Sequence, residues 1–178
     1  LVFCSSKQEA KALSDEFNKR GFNTTSLTGE DSQESREREV ERLVADSGDV
    51  LDYIFTVDIF NEGVDIPEVN QVVMLRPTQS AIVFIQQLGR GLRKSKDKDF
   101  VVIIDFIANY KNNFLIPVAL SGDNSYDKDT VRKFLSQGTR YLPGTSTIHF
   151  DEISKQRIYS AIDNVKLNTW IFVAAEYS

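Results

Sequence analysis

At Tyr53-Ile54-Phe55-Thr56-Val57 the chain carries a mainly apolar run, which is typical of a strand that helices cover on both faces. Two further runs of this kind follow at Val72–Leu75 and Val101–Ile104. We expect these three strands to form the centre of one sheet, because strands that alternate with helical patterns pair in parallel.

Shorter patterns upstream extend this alternation. Leu1–Cys4 and Thr24–Leu27 predict two more strands. Between them, Ser6 and Glu9 form a capping box that begins a helix, and Gly21 is the residue at which that helix ends.

A second helix is predicted before the run at residues 53–57. Asp31 and Glu34 form its expected capping box, and its buried stripe is expected to consist of Val40, Leu43 and Val44. The opposite face is expected to be solvated, as at Glu37, Glu41 and Arg42. Residues 1–105 therefore predict an α/β lobe of three layers around a central, mainly parallel sheet.

The pattern changes after Asp105. Residues 106–178 predict a mostly helical extension packed on the lobe, with helices at Lys128–Ser136 and Ser154–Val165. The closing segment Trp170–Ala175 is too apolar for a free tail, so we expect it to dock. His149 is the sole histidine and has no partner ligand at a metal-binding spacing, so we expect a surface or core residue and no metal site.

Composition restricts the class of protein. The 178 residues are 41% hydrophobic and 26% charged, which is the balance of a globular chain. A formal net charge of −5 argues against bulk electrostatic attraction to nucleic acid, so any such contact must be local. The single cysteine, Cys4, excludes an internal disulfide, and no apolar run is long enough to span a bilayer. We expect a cytoplasmic protein without membrane contact.

Polar residues follow the first two predicted strands, at the edge where parallel α/β sheets bind ligands. Ser5 and Ser6 precede a helix and can hold a phosphate there, although Ser6 equally suits a simple helix cap. Thr28 and Gly29 offer a hydroxyl and an accessible amide to a sugar-phosphate backbone, and the same residue types are ordinary in a turn.

The loop after Val57 is more specific. Gly63 permits close approach of the backbone to a ligand, and Pro67 restricts the exit from the loop. Asp65, between them, can accept from a ribose hydroxyl or a metal-bound water. These residues predict a nucleotide contact.

A fourth element, Gln86–Arg93, combines two arginines with two glycines. Gln86, Arg90 and Arg93 lie on one helical face, and each glycine costs about 1 kcal/mol in a helix relative to alanine. Guanidinium groups bind phosphate through forked, charge-assisted hydrogen bonds, so this cost indicates a phosphate that must come close. The alternative is a solvated basic helix end, which continues through Lys94, Lys96 and Lys98 and could also touch nucleic acid.

With these elements together, residues 1–105 resemble the carboxyl-terminal RecA-like lobe of superfamily 2 helicases and translocases. The matching segments are Val2–Ser6 for motif IV, Thr56 with Glu62–Pro67 for motif V, and Gln86–Arg93 for the Q-x-x-G-R-x-x-R pattern of motif VI. Motif V and Arg76-Pro77-Thr78 look closer to restriction-type and repair-type DNA translocases than to DEAD-box RNA helicases. Residues 109–117 and 147–153 are similar to an extension of bacterial helicase-like proteins.

The resemblance implies a role for each group of site residues. The residues that would contact the nucleic-acid backbone are Ser5, Thr28, Gly29 and Thr56, with Ser6 beside them. Gly63, Asp65 and Gln86 would contact ATP bound with Mg²⁺, and Arg90 and Arg93 would be the arginine fingers. DNA is the expected nucleic acid, with RNA as the alternative.

This chain lacks the phosphate loop of such motors. No G-x-x-x-x-G-K-[ST] motif occurs, so ATP would be held mainly by an N-terminal RecA-like lobe, and this fragment alone is expected to be inactive. A non-catalytic RecA-like docking module stays open as a rival, although the paired arginines with Gly63 and Asp65 argue against it. A dinucleotide-binding or flavodoxin-like domain is disfavoured because no G-x-G-x-x-G follows the first strand.

Overall fold

A computed structural model describes residues 1–57, 59, 66–76, 98–106, 117, 118, 120, 127–137 and 147–164. The chain divides into two compact units, one of residues 1–77 with 86–106 and one of residues 78–85 with 107–178. The boundary after residue 105, and the packing of the extension on the lobe, stay predictions.

The first unit is built on a five-stranded sheet. Its strands are β1 (Val2–Phe3), β2 (Thr24–Leu27), β3 (Tyr53–Thr56), β4 (Gln71–Met74) and β5 (Val102–Asp105). All neighbouring strands pair in parallel, in the order β2-β3-β1-β4-β5. The α/β class with a parallel sheet is therefore confirmed.

The centre of the sheet differs from the prediction. β1 is the central strand, because Val2 pairs with Phe55 on one side and with Val73 on the other. The chain crosses to the far side of β1 only after β3, so β5 lies outside β4, at the edge of the sheet that the structure describes. Val102 and Ile104 are accordingly 41% and 39% exposed, and the expected central position of β5 was wrong.

Helix α1 (Lys7–Lys19) packs on one face of the sheet as its sequence predicts. Ser6 is its N-cap, and Gly21, with φ of +90°, follows its C-terminus in a left-handed conformation. Ala10 joins Val2, Cys4 and Phe55 in a buried cluster against which Leu13 and Phe17 also pack. Full burial of a Val or Phe side chain, as at Val2 and Phe55, stabilises the fold by about 1.5–3 kcal/mol.

Helix α2 (Gln33–Val44) is capped one residue later than predicted. Ser32 is the N-cap and accepts from Ser35 N at 3.2 Å. The predicted capping residue, Asp31, instead accepts from Thr28 N at 2.7 Å, so its carboxylate closes the preceding loop. The Thr28 amide thus takes the place of the helix amide that Asp31 was expected to cap.

The packing of α2 also corrects the prediction. The expected stripe is not buried: Val40 and Leu43 are partly exposed, and Val44 is 37% exposed. Leu43 and Val44 line an open cleft instead of a closed core. The buried residue of α2 is Glu39, whose carboxylate pairs with Arg38 and Arg42.

Arg42 is not the solvated side chain that its position predicted. It pairs with Asp49 at 2.8 Å and with Glu39. The hydrogen bond that Arg42 donates to the Asp49 carboxylate raises the pKa of Arg42, and the same contact lowers the pKa of Asp49. These contacts tie the end of α2 to the turn that leads into β3.

A small polar cluster joins α1 to the edge strand β2. Thr24 Oγ1 lies 2.9 Å from Ser14 Oγ and 3.1 Å from Ser14 O, and both residues are buried. The Asn18 side chain accepts from Thr24 N at 2.8 Å and donates to Thr24 O at 3.1 Å. Asn18 therefore satisfies backbone groups of an edge strand, which would otherwise be open to pairing.

The second unit contains helices α3 (Lys128–Gln137) and α4 (Glu152–Asn164). Asp127 and Asp151 cap them, accepting from Thr130 N at 2.8 Å and from Ser154 N at 2.9 Å, and these bonds lower the pKa of both carboxyls. The buried side chains are Val131, Phe134, Leu135, Ile158 and Ile162. Both predicted helices are confirmed within two residues at each end. His149 is exposed, and Trp170–Ala175 lies outside the described residues.

No helix within the described ranges combines the length and apolarity needed to cross a bilayer. Among those same residues, no group of three or more His, Cys, Asp or Glu side chains is arranged to hold a metal ion.

We predict that Thr24→Val destabilises the protein by about 1–3 kcal/mol, because the buried Ser14 hydroxyl loses its partner while the side-chain volume is kept. The measurement is the urea midpoint of unfolding. Thr25→Val, at the next and partly exposed position of β2, is the matched control and should change the midpoint little. Equal effects of both substitutions would contradict the assigned role of the cluster.

Candidate functional site

The sheet brings the ends of three strands to one edge. Phe3 and Leu27 are both register partners of Thr56, from opposite sides of β3. Cys4 N donates to Thr56 O at 2.8 Å, and Val57 N donates to Leu27 O at 3.4 Å. The predicted contact residues after β1, β2 and β3 therefore lie along a common carboxyl edge, as expected for a parallel sheet.

Ser5 and Ser6 form the first part of this edge, and both are exposed. Glu9 Oε2 accepts from Ser5 N at 2.6 Å, and Ser6 Oγ accepts from Glu9 N at 3.1 Å. The capping function of Ser6 is thus present. It does not exclude a ligand, because a hydroxyl that accepts one hydrogen bond can still donate its proton to a phosphate oxygen.

The loop at Thr28 and Gly29 is held from both sides. Asp31 Oδ2 accepts from Thr28 N at 2.7 Å and from Thr28 Oγ1 at 3.2 Å. Arg36 Nη2 donates to the carbonyl oxygens of Thr28 and Gly29, at 3.2 Å and 3.1 Å. The Thr28 hydroxyl proton is therefore engaged by Asp31, so the Gly29 backbone is the better placed donor in this conformation.

Gly29 leaves its surroundings open. A Cβ atom built at this position would meet nothing within 4 Å. Gly29 itself is exposed. The space beside the backbone allows a ligand to approach the amide closely, which is the property that the sequence assigned to this glycine.

Lys7 is a residue of this edge that the sequence did not mark as a candidate contact. Its ammonium lies 2.5 Å from Glu30 Oε1, and this pair bridges the first loop to the second. The two side chains are 52% and 78% exposed, so the pair contributes little to stability and Lys7 can exchange partners. Its position directly after Ser6, at a helix N-terminus, was the available sequence signal.

Thr56 occupies the middle of the edge but is fully buried. Its Oγ1 atom has no hydrogen-bond partner among the residues that the structure describes. An unsatisfied buried hydroxyl costs about 1–3 kcal/mol. The side chain does not reach the surface in this conformation, and its contact with nucleic acid stays a prediction.

The predicted nucleotide contacts Gly63, Asp65, Gln86, Arg90 and Arg93 lie outside the described residues. The segments that flank them are described. Val69 N donates to Ile66 O at 3.2 Å, which closes a turn after the Asp65 loop. The Lys98 ammonium donates to Val69 O at 3.1 Å and to Pro67 O.

Lys98 therefore does not continue a solvated basic tail, which was the alternative interpretation of this stretch. Its side chain is partly buried, and desolvation lowers its pKa while the nearby Glu68 opposes that shift. The signal for this contact was not local, because it joins positions that are 31 and 29 residues apart.

Known proteins are similar to the same part of the chain that contains the candidate site. The family described as the helicase conserved C-terminal domain matches residues 1–95. The putative ATP-dependent helicase IRC3 of Saccharomyces cerevisiae is 35% identical over 107 residues, which are 60% of this chain and 15% of that protein. The pre-mRNA-splicing ATP-dependent RNA helicase prp28 of Schizosaccharomyces pombe is 31% identical over 96 residues, 54% of this chain and 14% of that protein. The chain thus spans a small part of the length of these curated relatives.

Solved structures show the same fold. The yeast DEAD-box splicing factor Prp28 matches 88% of this chain and 30% of its own, with a TM-score of 0.57 and 21% identity. The E. coli DEAD-box protein SrmB, solved with the regulator of ribonuclease activity RraA, matches 84% of this chain and 80% of its own, with a TM-score of 0.53 and 18% identity. The predicted RecA-like architecture is thereby confirmed.

We predict that the Cys4 thiol, although it adjoins the candidate site, does not react in the folded protein. Burial, with the nearby Glu9 carboxylate, raises the pKa of Cys4 to about 12, and the thiolate is the reactive form. Titration with a chromogenic disulfide reagent at pH 8 should detect no thiol without denaturant and one thiol per chain in urea. Rapid labelling of the native protein would contradict the burial of Cys4.

Proposed function

Because the chain belongs to the helicase conserved C-terminal domain family, we propose that it is the second motor lobe of an ATP-dependent DNA helicase or translocase. The observation that carries this proposal is the carboxyl edge of β1, β2 and β3. Exposed polar groups follow the first two of these strands and can contact a nucleic-acid backbone. Ser5, Ser6 and Gly29 offer donors to phosphate oxygens, and such contacts position a protein on a strand without reading its sequence.

Arg90 and Arg93 are proposed as the fingers that meet the γ-phosphate of ATP when the two lobes close. Mg²⁺ and the phosphates would be held mainly by the first lobe, with Gly63, Asp65 and Gln86 completing the site from this side. A guanidinium at a transferring phosphoryl group stabilises the developing charge. Opening of the cleft after hydrolysis would then shift the edge contacts along the strand.

The overall negative charge of the chain supports a nucleic-acid contact that depends on a few residues. The chain carries a formal net charge of −5, so attraction to a polyanion must come from the edge and not from the whole surface. Lys7 is an exposed cation of the described edge, beside Arg36, which is engaged by the carbonyls of Thr28 and Gly29. An ammonium paired with an exposed carboxylate can be transferred to a phosphate at small cost.

DNA is proposed as the tracked nucleic acid on the pattern of motif V and of Arg76-Pro77-Thr78. Among the relatives, prp28 is named an RNA helicase, while IRC3 is named a helicase without either word. The test is the ATPase rate of the complete protein, measured in turn with single-stranded DNA, duplex DNA and RNA. It shows whether DNA or RNA stimulates the enzyme. Stimulation by RNA alone would overturn the DNA assignment and leave the motor assignment intact.

We predict that Arg90→Ala in the complete protein lowers nucleic-acid-stimulated ATP turnover by about 10³-fold or more, because a finger contributes on that order to phosphoryl transfer. Steady-state ATPase is the measurement, with circular dichroism to verify the fold. Arg20→Ala, which removes an exposed arginine paired with Glu16 on α1, is the control and should leave turnover unchanged. Undiminished turnover in Arg90→Ala would favour the rival docking module.

We predict that Lys7→Met weakens nucleic-acid binding about equally for all sequences and reduces the slope of log Kobs against log salt concentration by about 1. Glu30→Gln should act in the opposite direction, because it frees the Lys7 ammonium. Fluorescence anisotropy across a salt series measures both. Lys19→Met, at the far end of α1, is the control, and an identical slope in Lys7→Met and Lys19→Met would remove Lys7 from the interface.

A further inference from the structure

The turn at Thr28 and Gly29 presents one unused backbone donor. Thr28 N donates to Asp31 Oδ2 at 2.7 Å, and Glu30 N donates to Thr28 Oγ1 at 3.3 Å. No acceptor contacts Gly29 N within the part of the chain that the structure describes. Gly29 is exposed, with open space where a Cβ atom would stand. Gly29 N is therefore the amide of this turn that a ligand can reach.

Arg36 restrains the direction in which this amide points. Its Nη2 atom donates to Thr28 O at 3.2 Å and to Gly29 O at 3.1 Å. Thr28 O and Gly29 N belong to one peptide unit, and in a planar trans unit the carbonyl and the amide point in opposite directions. A guanidinium on the carbonyl side therefore leaves Gly29 N directed away from Arg36.

The turn is closed by other groups than Arg36. Asp31 N donates to Thr28 O at 3.2 Å, and the Asp31 carboxylate accepts from Thr28 N. Arg36 is partly buried, and its Nε atom has no hydrogen-bond partner among the described residues. Within those residues, the hydrogen bonds of its guanidinium all go to the carbonyls of Thr28 and Gly29. Arg36 thus adds a restraint on two carbonyls to a turn that is already closed.

We propose that Arg36 is a positioning residue of the nucleic-acid contact, which holds the Gly29 amide toward a backbone phosphate and does not itself bind that phosphate. A donor that is oriented before binding accepts the ligand without the entropy cost of ordering its loop. This inference rests on the proposed function, since it takes the edge after β1 and β2 to be the interface with nucleic acid.

The test is a double-mutant cycle between Arg36 and Gly29 in the complete, two-lobed protein. Arg36→Met removes the donors and keeps an apolar stem. Gly29→Ala places a methyl group beside the amide, and this group meets nothing within 4 Å in the free protein, so it obstructs a ligand and not the fold. Fluorescence anisotropy across a salt series gives the Kd of both single variants and of the double variant, for labelled single-stranded DNA and for RNA of the same sequence.

We expect Arg36→Met and Gly29→Ala each to raise the Kd by about 10-fold. The double variant should bind no more weakly than Gly29→Ala alone, because both changes act on one contact. The slope of log Kobs against log salt concentration should be unchanged in Arg36→Met, since the lost contact is a neutral amide and no cation leaves a phosphate. Arg36→Lys, which keeps a cationic nitrogen donor, should recover part of the affinity.

A direct contact between Arg36 and a phosphate would give a different result. The effects of the two substitutions would then add, and the salt slope would fall by about 1 in Arg36→Met. Either result overturns the inference, as does an effect of Arg36→Met with none from Gly29→Ala. Arg20→Met is the matched control, because it removes an exposed arginine that pairs with Glu16 at 3.1 Å on α1, and it should bind like the unmodified protein.

Lys7→Met, measured beside the cycle, separates this inference from the function on which it rests. If Lys7→Met and Gly29→Ala weaken binding while Arg36→Met does not, Arg36 has no positioning role and the interface stands. If none of the three changes the Kd for either nucleic acid, the proposed interface itself fails. Should circular dichroism show that Arg36→Met does not fold, Arg36→Gln takes its place in the same cycle and is judged by the same criteria.

Discussion

The structure depends on the pairing of β1 with a parallel neighbour on each side. Val2 and Phe3 meet Phe55 and Thr56 across one side and Val73 and Met74 across the other. Because all of these strands run in one direction, their carboxyl ends lie at one edge of the sheet, and every loop that leaves them starts there. Loops from distant parts of the sequence thereby become one surface. The buried cluster beneath α1 stabilises this arrangement through Val2, Cys4 and Phe55.

Charged side chains shape the loops of that edge more than they stabilise the fold. Asp31 and Arg36 hold opposite polar groups of the Thr28 and Gly29 backbone, the first accepting from an amide and the second donating to carbonyls. Lys7 and Glu30 join the loops through a contact that is open to solvent. Lys98 anchors a turn at the opposite edge, before β4, by an ammonium on backbone carbonyls. An acidic chain can therefore present a few placed donors where its overall charge would repel a polyanion.

Local patterns predicted the elements well where the deciding contacts are local. Ser6 and Glu9 lie within one turn, so the bond from Glu9 N to Ser6 Oγ could be predicted from their spacing, although Glu9 Oε2 accepts from Ser5 N and not from the amide of the cap. The strands β3 and β4 were placed within one residue. Asp31 failed as a cap because Thr28 competed for its carboxylate. No local pattern predicted the position of Glu39, which is buried because Arg38 and Arg42 neutralise its carboxylate. Apolar content alone did not reveal that β5 stands at an edge.

The sequence by itself determined the α/β class, the order of elements, the family resemblance and the identity of the candidate residues, because periodicity, caps and motif spacing are written over short distances. Only the tertiary structure decided which of these residues share a surface. It exposed Ser5, Ser6 and Gly29, buried Thr56, and added Lys7 through Glu30, a partner 23 residues away. Burial and long-range hydrogen bonds depend on how strands are ordered in the sheet, and strand order is a property of the packed chain that no local pattern carries.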